Sequence, residues 1–250
     1  MTPYLELRNV SVSFNGFKAL NEFNMSVSKG ELRCLIGPNG AGKTTALDII
    51  CGKVKPSAGS VVFDGTALEG LEEHRIARAG VGRKFQVPSV FRDLTVAENL
   101  EVARAHRPGV WANLRWDARR SGRKDIERLA QLISLTEHLD RPAAYLSHGQ
   151  TQWLEIGMLV AQDAELILMD EPTAGMTAQE TLKTAELFAR LKGKHTLLVV
   201  EHDMGFVKAI GDVISVMHLG QLLAEGTAAE VEEHPEVRRA YLGSGGITNA

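Results

Sequence analysis

A glycine-rich segment between an apolar strand and a helix constrains this sequence more than any other feature. Residues 37–44 read Gly-Pro-Asn-Gly-Ala-Gly-Lys-Thr and match the pattern GxxxxGK[ST]. The pattern predicts a strand over 32–36 before this segment and a helix over 44–51 after it, stopped by Gly52. Glycines let backbone N–H groups approach phosphate oxygens, and a helix start adds partial positive charge. The sequence therefore predicts a phosphate-binding loop in an α/β fold.

The residues of this phosphate loop (37–44) predict contacts with a phosphate chain and a metal ion. Lys43 can reach the β and γ phosphates, and the hydroxyl of Thr44 can ligate Mg²⁺. We expect contacts with the bound group from most of the segment and from the residue after it, namely Gly37, Asn39, Gly40, Ala41, Gly42, Lys43, Thr44 and Thr45. A loop of this kind also requires a carboxylate elsewhere in the chain to hold the metal ion.

Two acids that follow an apolar run at 166–169 provide the expected carboxylates. The run has the length and composition of a buried strand, and Asp170 and Glu171 come directly after it. We predict that Asp170 is a ligand of Mg²⁺. We predict that Glu171 is the general base, which accepts a proton from an attacking water.

Hydrophobic patterns divide the chain into three stretches. The first 27 residues alternate between apolar and polar positions, which predicts antiparallel strands. Residues from 95 to about 160 show helical spacing, and strands alternate with helices after them. We expect one α/β domain over 1–250, with a P-loop NTPase core, an antiparallel β layer and a helical subdomain inserted at about 95–160.

Composition excludes several classes of protein. Lys and Arg total 28 against 31 Asp and Glu, so the net charge of −3 leaves no basic field to hold nucleic acid. Cys34 and Cys51 lack CxxC or Cys/His spacing, which argues against a disulfide framework or a zinc finger and favours a reducing cytosol. The apolar runs are shorter than the roughly 18 residues of a membrane-spanning helix. We expect no membrane span, no secretion signal and no nucleic-acid partner.

Segment 104–128 departs from this charge balance. It contains eight Arg and Lys residues against three acids, with Trp111 and Trp116 between them. Such a pattern could bind RNA. We favour a solvated helix face, or a face near anionic lipid heads and a membrane subunit.

Three further motifs complete a recognisable order along the chain. Leu-Ser-His-Gly-Gln stands at 146–150, Glu-His-Asp at 201–203 and Phe-Gln at 85–86. Together with the phosphate loop and the acids at 170–171, they resemble the ATP-binding subunit of an ABC transporter along essentially the whole chain. The resemblance implies an ABC ATPase fold, binding of ATP with Mg²⁺, and ATP hydrolysis.

The resemblance implies roles for individual residues. Phe14 is similar to the aromatic residue that stacks on adenine, and Gln86 to the glutamine that touches Mg²⁺ or the attacking water. His202 is similar to the switch histidine, which hydrogen-bonds the γ phosphate and orients Glu171. By this resemblance Glu171, His202 and Gln86 form the catalytic set.

The segment 146–150, called the signature loop below, is implied to contact a nucleotide held by an opposed subunit. The hydroxyl of a serine, a backbone N–H and the start of the following helix would face the γ phosphate. The residues expected to contribute are Ser147, Gly149 and Gln150.

Two residues depart from the family pattern. His148 replaces the usual glycine, so a titratable side chain lies at the start of the signature helix. Thr177 stands where the family often has Asp. With Glu180, Thr177 forms a capping box that predicts a helix over 178–191.

Several segments are similar to one branch of the family. Residues 80–86, 91–100 and 103–128 resemble ATPases of importers for branched-chain amino acids and amides. Residues 146–158 are most similar to the first ATPase subunit of the urea importer, so urea or a short-chain amide is the expected solute. A branched-chain amino acid importer is the first alternative, followed by lipopolysaccharide export and a non-transport ABC protein. A simple P-loop kinase is disfavoured because it has no use for the signature loop.

The resemblance also implies partners and a location. These are a second ABC ATPase subunit, either a copy of this chain or a related one, integral membrane permease subunits and, indirectly, a solute-binding protein. The expected location is the cytoplasmic face of the inner membrane, with the chain bound peripherally.

Overall fold

A computed structural model of the chain describes residues 3–84, 90–104 and 118–242. Its strands are β1 (Leu5–Phe14), β2 (Phe17–Val27), β3 (Leu32–Ile36), β4 (Ala58–Phe63), β5 (Thr66–Ala67), β6 (Val81–Lys84), β7 (Leu166–Asp170), β8 (Thr196–Val200), β9 (Val213–His218) and β10 (Gln221–Gly226). Its α-helices are α1 (Lys43–Ile50), α2 (Glu73–Arg78), α3 (Val96–Arg104), α4 (Ala118–Leu132), α5 (His148–Ala161), α6 (Ala178–Leu191), α7 (Met204–Ile210), α8 (Ala228–Glu233) and α9 (Pro235–Leu242).

The strands form two sheets of different character. The first is antiparallel, with the order β2-β1-β4-β5, and its central strand β1 pairs Leu5 with both Val27 and Phe63. The second has the order β10-β9-β3-β8-β7-β6, and β9, β3, β8 and β7 run parallel. The predicted α/β fold with an antiparallel layer is therefore confirmed.

The two sheets belong to the first of two compact units, which comprises Met1–Arg83, Glu165–Pro172 and Leu191–Ala250. Its core contains fully buried side chains of the antiparallel sheet, of α1 and of the parallel strands, including Phe23, Phe63, Leu47, Ile50, Leu35, Leu168 and Leu198. Burial of one such side chain stabilises the fold by about 1.5–3 kcal/mol. The mainly apolar strands β3, β7 and β8 are buried along their whole length, as parallel strands covered on both faces are.

The second unit comprises Lys84–Ala164 and Thr173–Arg190. It contains α3, α4 and α5, which lie within the segment predicted as helical, and also α6, which lies beyond it. Trp153 on α5 is buried, and its indole N–H donates to the Thr184 hydroxyl on α6 at 2.9 Å. This hydrogen bond ties α6 to the other helices of the unit.

The ends of the elements differ slightly from the sequence-based expectation. Helix α1 begins one residue earlier, at Lys43, and strand β7 includes Asp170. Strand β10, which the sequence patterns do not single out, pairs with β9 in antiparallel fashion. Within the described part of the chain no helix combines the length and the hydropathy that crossing a membrane requires.

Candidate nucleotide-binding site

The phosphate loop joins the end of β3 to the start of α1. Gly42 precedes the helix with φ of 103°, and a Cβ at this position would lie 2.5 Å from the carbonyl oxygen of Ala19. Only glycine accommodates both constraints. No side chain caps α1 and its first turn contains no acid, so its exposed N–H groups present partial positive charge to an anion.

Lys43 holds its ammonium group inside the loop. The Nζ atom donates to the carbonyl oxygens of Gly37 at 2.7 Å and Pro38 at 3.1 Å. Burial lowers the pKa of Lys43, and the nearby carboxylates of Glu171 and Asp170 oppose this effect. The ammonium is thus prepositioned by neutral acceptors that a phosphate can replace.

Asp170 ends β7 beside the hydroxyl of Thr44. Desolvation raises the pKa of this carboxyl, while a hydrogen bond with the Thr44 side chain acts in the opposite direction. The Oδ2 atom is buried and has no hydrogen-bond partner among the described residues. A buried carboxylate oxygen without a partner, next to a hydroxyl, fits a Mg²⁺ ion.

The rest of a metal coordination shell would have to come from the bound group. Within residues 3–84, 90–104 and 118–242, no three His, Cys, Asp or Glu side chains cluster in a way that could hold a metal ion. Mg²⁺ is typically bound through one or two protein oxygens together with substrate phosphates and water. Thr44 and Asp170 fit that mode of binding.

Glu171 has an unusual backbone conformation. Its φ is 47°, in the left-handed region, and its N–H donates to the carbonyl oxygen of Val200 at 2.9 Å. The Nδ1 atom of His202 lies 3.6 Å from Glu171 Oε1 and 3.9 Å from Oε2 of the fully buried Glu201. Positive φ is strained in a residue with a side chain, and the hydrogen bond to β8 holds the Glu171 backbone in this conformation.

A cleft of about 310 Å³ adjoins these groups. Phe14 and Phe17 are both largely exposed and form part of its wall. Most of the predicted loop and metal residues also line this cleft. The remaining lining residues are Ala19, Asn39, Gly40, Ala41, Gly42, Lys43, Thr44, Thr45, Asp170 and Glu171. A wall that combines exposed aromatic rings with phosphate-binding groups has the chemistry that a nucleotide requires.

The signature loop lies in the second unit, at the start of α5. The Ser147 hydroxyl accepts the Gln150 N–H at 3.2 Å, and Gln150 Oε1 accepts the Ser147 N–H at 2.9 Å, which forms a capping box. The Gln150 carboxamide also contacts Nε2 of His138 at 2.9 Å, so its side chain is engaged within the chain. Gly149 is buried in the first turn, and His148 Nε2 lies 3.0 Å from the carbonyl oxygen of Ala174.

Some predicted residues lie outside the described residues. They include Gln86 and its neighbour Phe85, and also Trp111 and Trp116 of the basic segment. The roles given above for Gln86 and for the basic segment stay predictions.

Sequence reasoning missed Ala19 and Phe17 of the cleft and the second role of Glu180. Phe17 stands three residues after Phe14, and both rings line the cleft because the turn at Asn15 and Gly16 folds β1 back onto β2. Glu180 was expected only as a helix cap, but its carboxylate also accepts the Ser147 hydroxyl at 2.8 Å. A second aromatic residue three positions after Phe14 is a sequence signal that could have identified Phe17 as part of the cleft. The contact of Glu180 with a residue 33 positions away has no such signal.

Comparison with protein families agrees with this geometry. Residues 20–174 match the family model described as "ABC transporter". Residues 221–247 match the model described as "Branched-chain amino acid ATP-binding cassette transporter". The first match covers more than half of the chain.

Individual proteins with similar sequences or structures are also known. The chain is 39% identical to the high-affinity branched-chain amino acid transport ATP-binding protein LivG of Escherichia coli K12, over 96% of this chain and 98% of LivG. A crystal structure of the ADP conformation of an ATP-binding cassette of an ABC transporter superposes with a TM-score of 0.84 at 30% identity, covering 97% of this chain and all of that one. A dimeric post-hydrolysis cassette bound to ADP and Pi superposes with a TM-score of 0.76 at 25% identity, covering 90% and 98% of the two chains.

Proposed function

Because the chain belongs to the ABC transporter family, we propose that it is the ATPase subunit of an importer for branched-chain amino acids. The observation that carries the proposal is the 39% identity to LivG over 96% of this chain. The match of residues 221–247 to the branched-chain amino acid cassette model supports it independently. The chain is an ATP-hydrolysing transporter subunit and binds ATP with Mg²⁺, as this family does.

This solute differs from the one that the signature segment favours in the sequence. Residues 146–158 point to urea or a short-chain amide, with a branched-chain amino acid importer as the first alternative. The alternative is better supported, because branched-chain amino acid transport is what the name of LivG states. Solute specificity comes from the binding protein and the permease subunits, so it can be tested only in the assembled importer.

Uptake of labelled solutes by cells distinguishes the two. Deletion of this chain should abolish high-affinity uptake of labelled leucine and leave urea uptake unchanged. Wild-type protein supplied in trans should restore leucine uptake, and the matched Glu171→Gln variant should not. Loss of urea uptake with normal leucine uptake would move the assignment to urea without affecting the ATP chemistry.

The nucleotide site supports specific roles for the phosphate loop. The adenine stacks on Phe14, and the phosphates contact the backbone N–H groups of the loop and the Lys43 ammonium. Thr44 and Asp170 hold the metal ion, with Gln86 as a further contact. A bound Mg²⁺ would supply neutralisation of the phosphate charge.

Glu171 and His202 support the hydrolytic step. Glu171 accepts a proton from the attacking water. The imidazole of His202, 3.6 Å from Glu171, orients this carboxylate and hydrogen-bonds the γ phosphate. Gln86 completes the proposed catalytic set.

Two ATPase subunits act together, and the signature loop of each contacts the nucleotide of the other through Ser147, Gly149 and Gln150. The pair works with integral membrane permease subunits and, through them, with a solute-binding protein. The chain is bound peripherally at the cytoplasmic face of the inner membrane.

The Glu171→Gln variant tests the paired arrangement. The amide keeps the shape of the carboxylate but cannot take a proton, so ATP binds and hydrolysis is lost. A nucleotide-bound dimer should then accumulate with Mg-ATP on a sizing column, and the same variant with ADP serves as the control. A variant that stays monomeric at saturating Mg-ATP argues against pairing with itself, and mixing with a candidate second ATPase then identifies the partner.

A further inference from the structure

Among the described residues, three helices begin with the same Thr-x-x-Glu capping box. Their first residues follow Thr95, Thr177 and Thr227, and each threonine donates its N–H and its hydroxyl to one glutamate oxygen at 2.7–3.0 Å. In each box the threonine N–H is the largest cause that lowers the pKa of the glutamate carboxyl. The three glutamates, Glu98, Glu180 and Glu230, are therefore ionised and capped in the same way.

Glu180 differs from the other two through its second oxygen. Its Oε1 atom accepts the Ser147 hydroxyl at 2.8 Å, and the backbone N–H of Gly149 adds the smallest of the effects that lower the pKa of this carboxyl. A Cβ on Gly149 would lie 2.6 Å from the Glu180 carboxyl carbon, so the carboxylate rests directly on the glycine. A carboxylate of the same chain thus occupies the two donors of the signature loop that the proposed function gives to a phosphate.

We propose that the Glu180 carboxylate is an internal competitor for the signature loop, occupying it in the nucleotide-free chain until the γ phosphate of the opposed subunit's nucleotide displaces it. This inference rests on the proposed function, because it requires the signature loop to receive a phosphate. The ATP concentration at which the pair closes then depends on the free energy of releasing Glu180 from the signature loop.

The competition follows from the chemistry of the donors. The Ser147 hydroxyl and the Gly149 N–H have one hydrogen each, so neither can serve the carboxylate and a phosphate fully at once. Two anions in contact at one site also repel each other. Hydrogen bonds to an ionised acceptor are roughly twice as strong as neutral ones, so the carboxylate holds these donors firmly.

The helix start can survive the release of Glu180. The Thr177 hydroxyl accepts the Glu180 N–H at 3.3 Å, a contact that belongs to the backbone and does not require the carboxylate. The glutamate can therefore leave the signature loop while α6 keeps its cap from Thr177.

The test measures how much ATP the pair needs to close. In the Glu171→Gln background, Mg-ATP is titrated and the dimer fraction is measured by light scattering, with and without Glu180→Gln. The neutral amide is a weaker competitor, so we expect the midpoint ATP concentration to fall about fivefold, equivalent to about 1 kcal/mol. Glu230→Gln is the matched control, since it alters the same type of capping box without touching Ser147, and its midpoint should equal that of the parent.

Two outcomes overturn the proposal. One is a midpoint that is unchanged or raised by Glu180→Gln, which would make Glu180 a cap or a support for the loop. The other is a Glu180 carboxyl pKa, followed by carbon-13 NMR in the nucleotide-free chain, that does not rise when Ser147 is replaced by Ala. If the parent Glu171→Gln chain does not dimerise at all, it is the proposed self-pairing that fails, and the carboxyl titration then decides the proposal about Glu180.

Discussion

The phosphate loop and the signature loop both present donors at the start of a helix, but without a ligand these donors are satisfied differently. In the phosphate loop, the Lys43 ammonium donates to two neutral carbonyl groups, and no acid stands in the first turn of α1. In the signature loop, the Ser147 hydroxyl donates to a full carboxylate, that of Glu180. The phosphate-loop ammonium is satisfied by weak neutral acceptors, and the signature-loop hydroxyl by a charged one.

The difference indicates the order in which the two loops act. A phosphate that reaches Lys43 exchanges neutral acceptors for a charged one, so binding gains a charge-assisted contact. A phosphate that reaches Ser147 replaces one charged acceptor by another, so the gain is small until the nucleotide is already held elsewhere. Nucleotide binding at the phosphate loop should therefore precede engagement of the signature loop.

The largest expected effect comes from removing the charge of the phosphate loop. Lys43→Ala should abolish ATP hydrolysis, because the β and γ phosphates lose a charge-assisted contact of roughly 1.5–3 kcal/mol before any effect on the transition state. Phosphate release from purified protein measures this. Lys55→Ala, which removes an exposed lysine whose Nζ lies 3.7 Å from Glu72, is the control and should hydrolyse ATP normally. Near-normal turnover of folded Lys43→Ala would refute the assignment of the loop.

Local pattern was sufficient to predict most of the elements around the nucleotide. The apolar run at 166–169 and the motif at 37–44 predict β7 and the β3-to-α1 turn, because buried parallel strands and glycine-rich turns have strong local signatures. The carboxylates of Asp170 and Glu171 follow from their position at the end of β7. Strand β10 was not predicted because its residues are mostly half-exposed and do not alternate clearly between buried and exposed positions.

Contacts between residues far apart along the chain could not be predicted from the sequence. The Thr177–Glu180 box is a local pattern and was predicted, and its hydrogen bonds confirm it. The second partner of Glu180, Ser147, depends on how α5 and α6 pack, which the buried Trp153–Thr184 hydrogen bond helps to fix. Spacing along the chain does not encode such packing.

An intermediate effect is expected from crowding the signature loop. In Gly149→Ala the new Cβ would lie 2.6 Å from the Glu180 carboxyl carbon, so the carboxylate must move and the methyl group occupies space that a phosphate needs. We expect little change in unfolding free energy, because the far end of Glu180 can move aside, and a weaker ATP-dependent dimer in the Glu171→Gln background. Chemical denaturation and light scattering measure the two quantities.

Gly157→Ala on the same helix is the matched control. Its Cβ would lie 2.7 Å from the Ile133 side chain, a similar crowding far along α5 from the signature loop. It should leave dimerisation intact. Equal losses of dimer in both variants would mean that crowding acts through the fold of the helical unit instead.

The smallest effect concerns stability in acid. The pKa of Glu180 is lowered by the Thr177 N–H, then by Ser147, so its contribution to stability is present above the carboxyl pKa of the unfolded chain and is lost as pH falls through the lower folded value. Because the carboxylate is exposed and screened, this contribution should be below about 1 kcal/mol. Glu180→Gln should therefore lower the melting temperature at neutral pH, and the difference from wild type should vanish as pH falls through the folded pKa.

Glu230 has the same capping box without the signature-loop contacts, so Glu230→Gln should show a smaller difference in melting temperature at neutral pH. Equal differences for the two variants would mean that the signature donors add nothing to the capping box, and the contrast between the two loops would then rest on Lys43 alone.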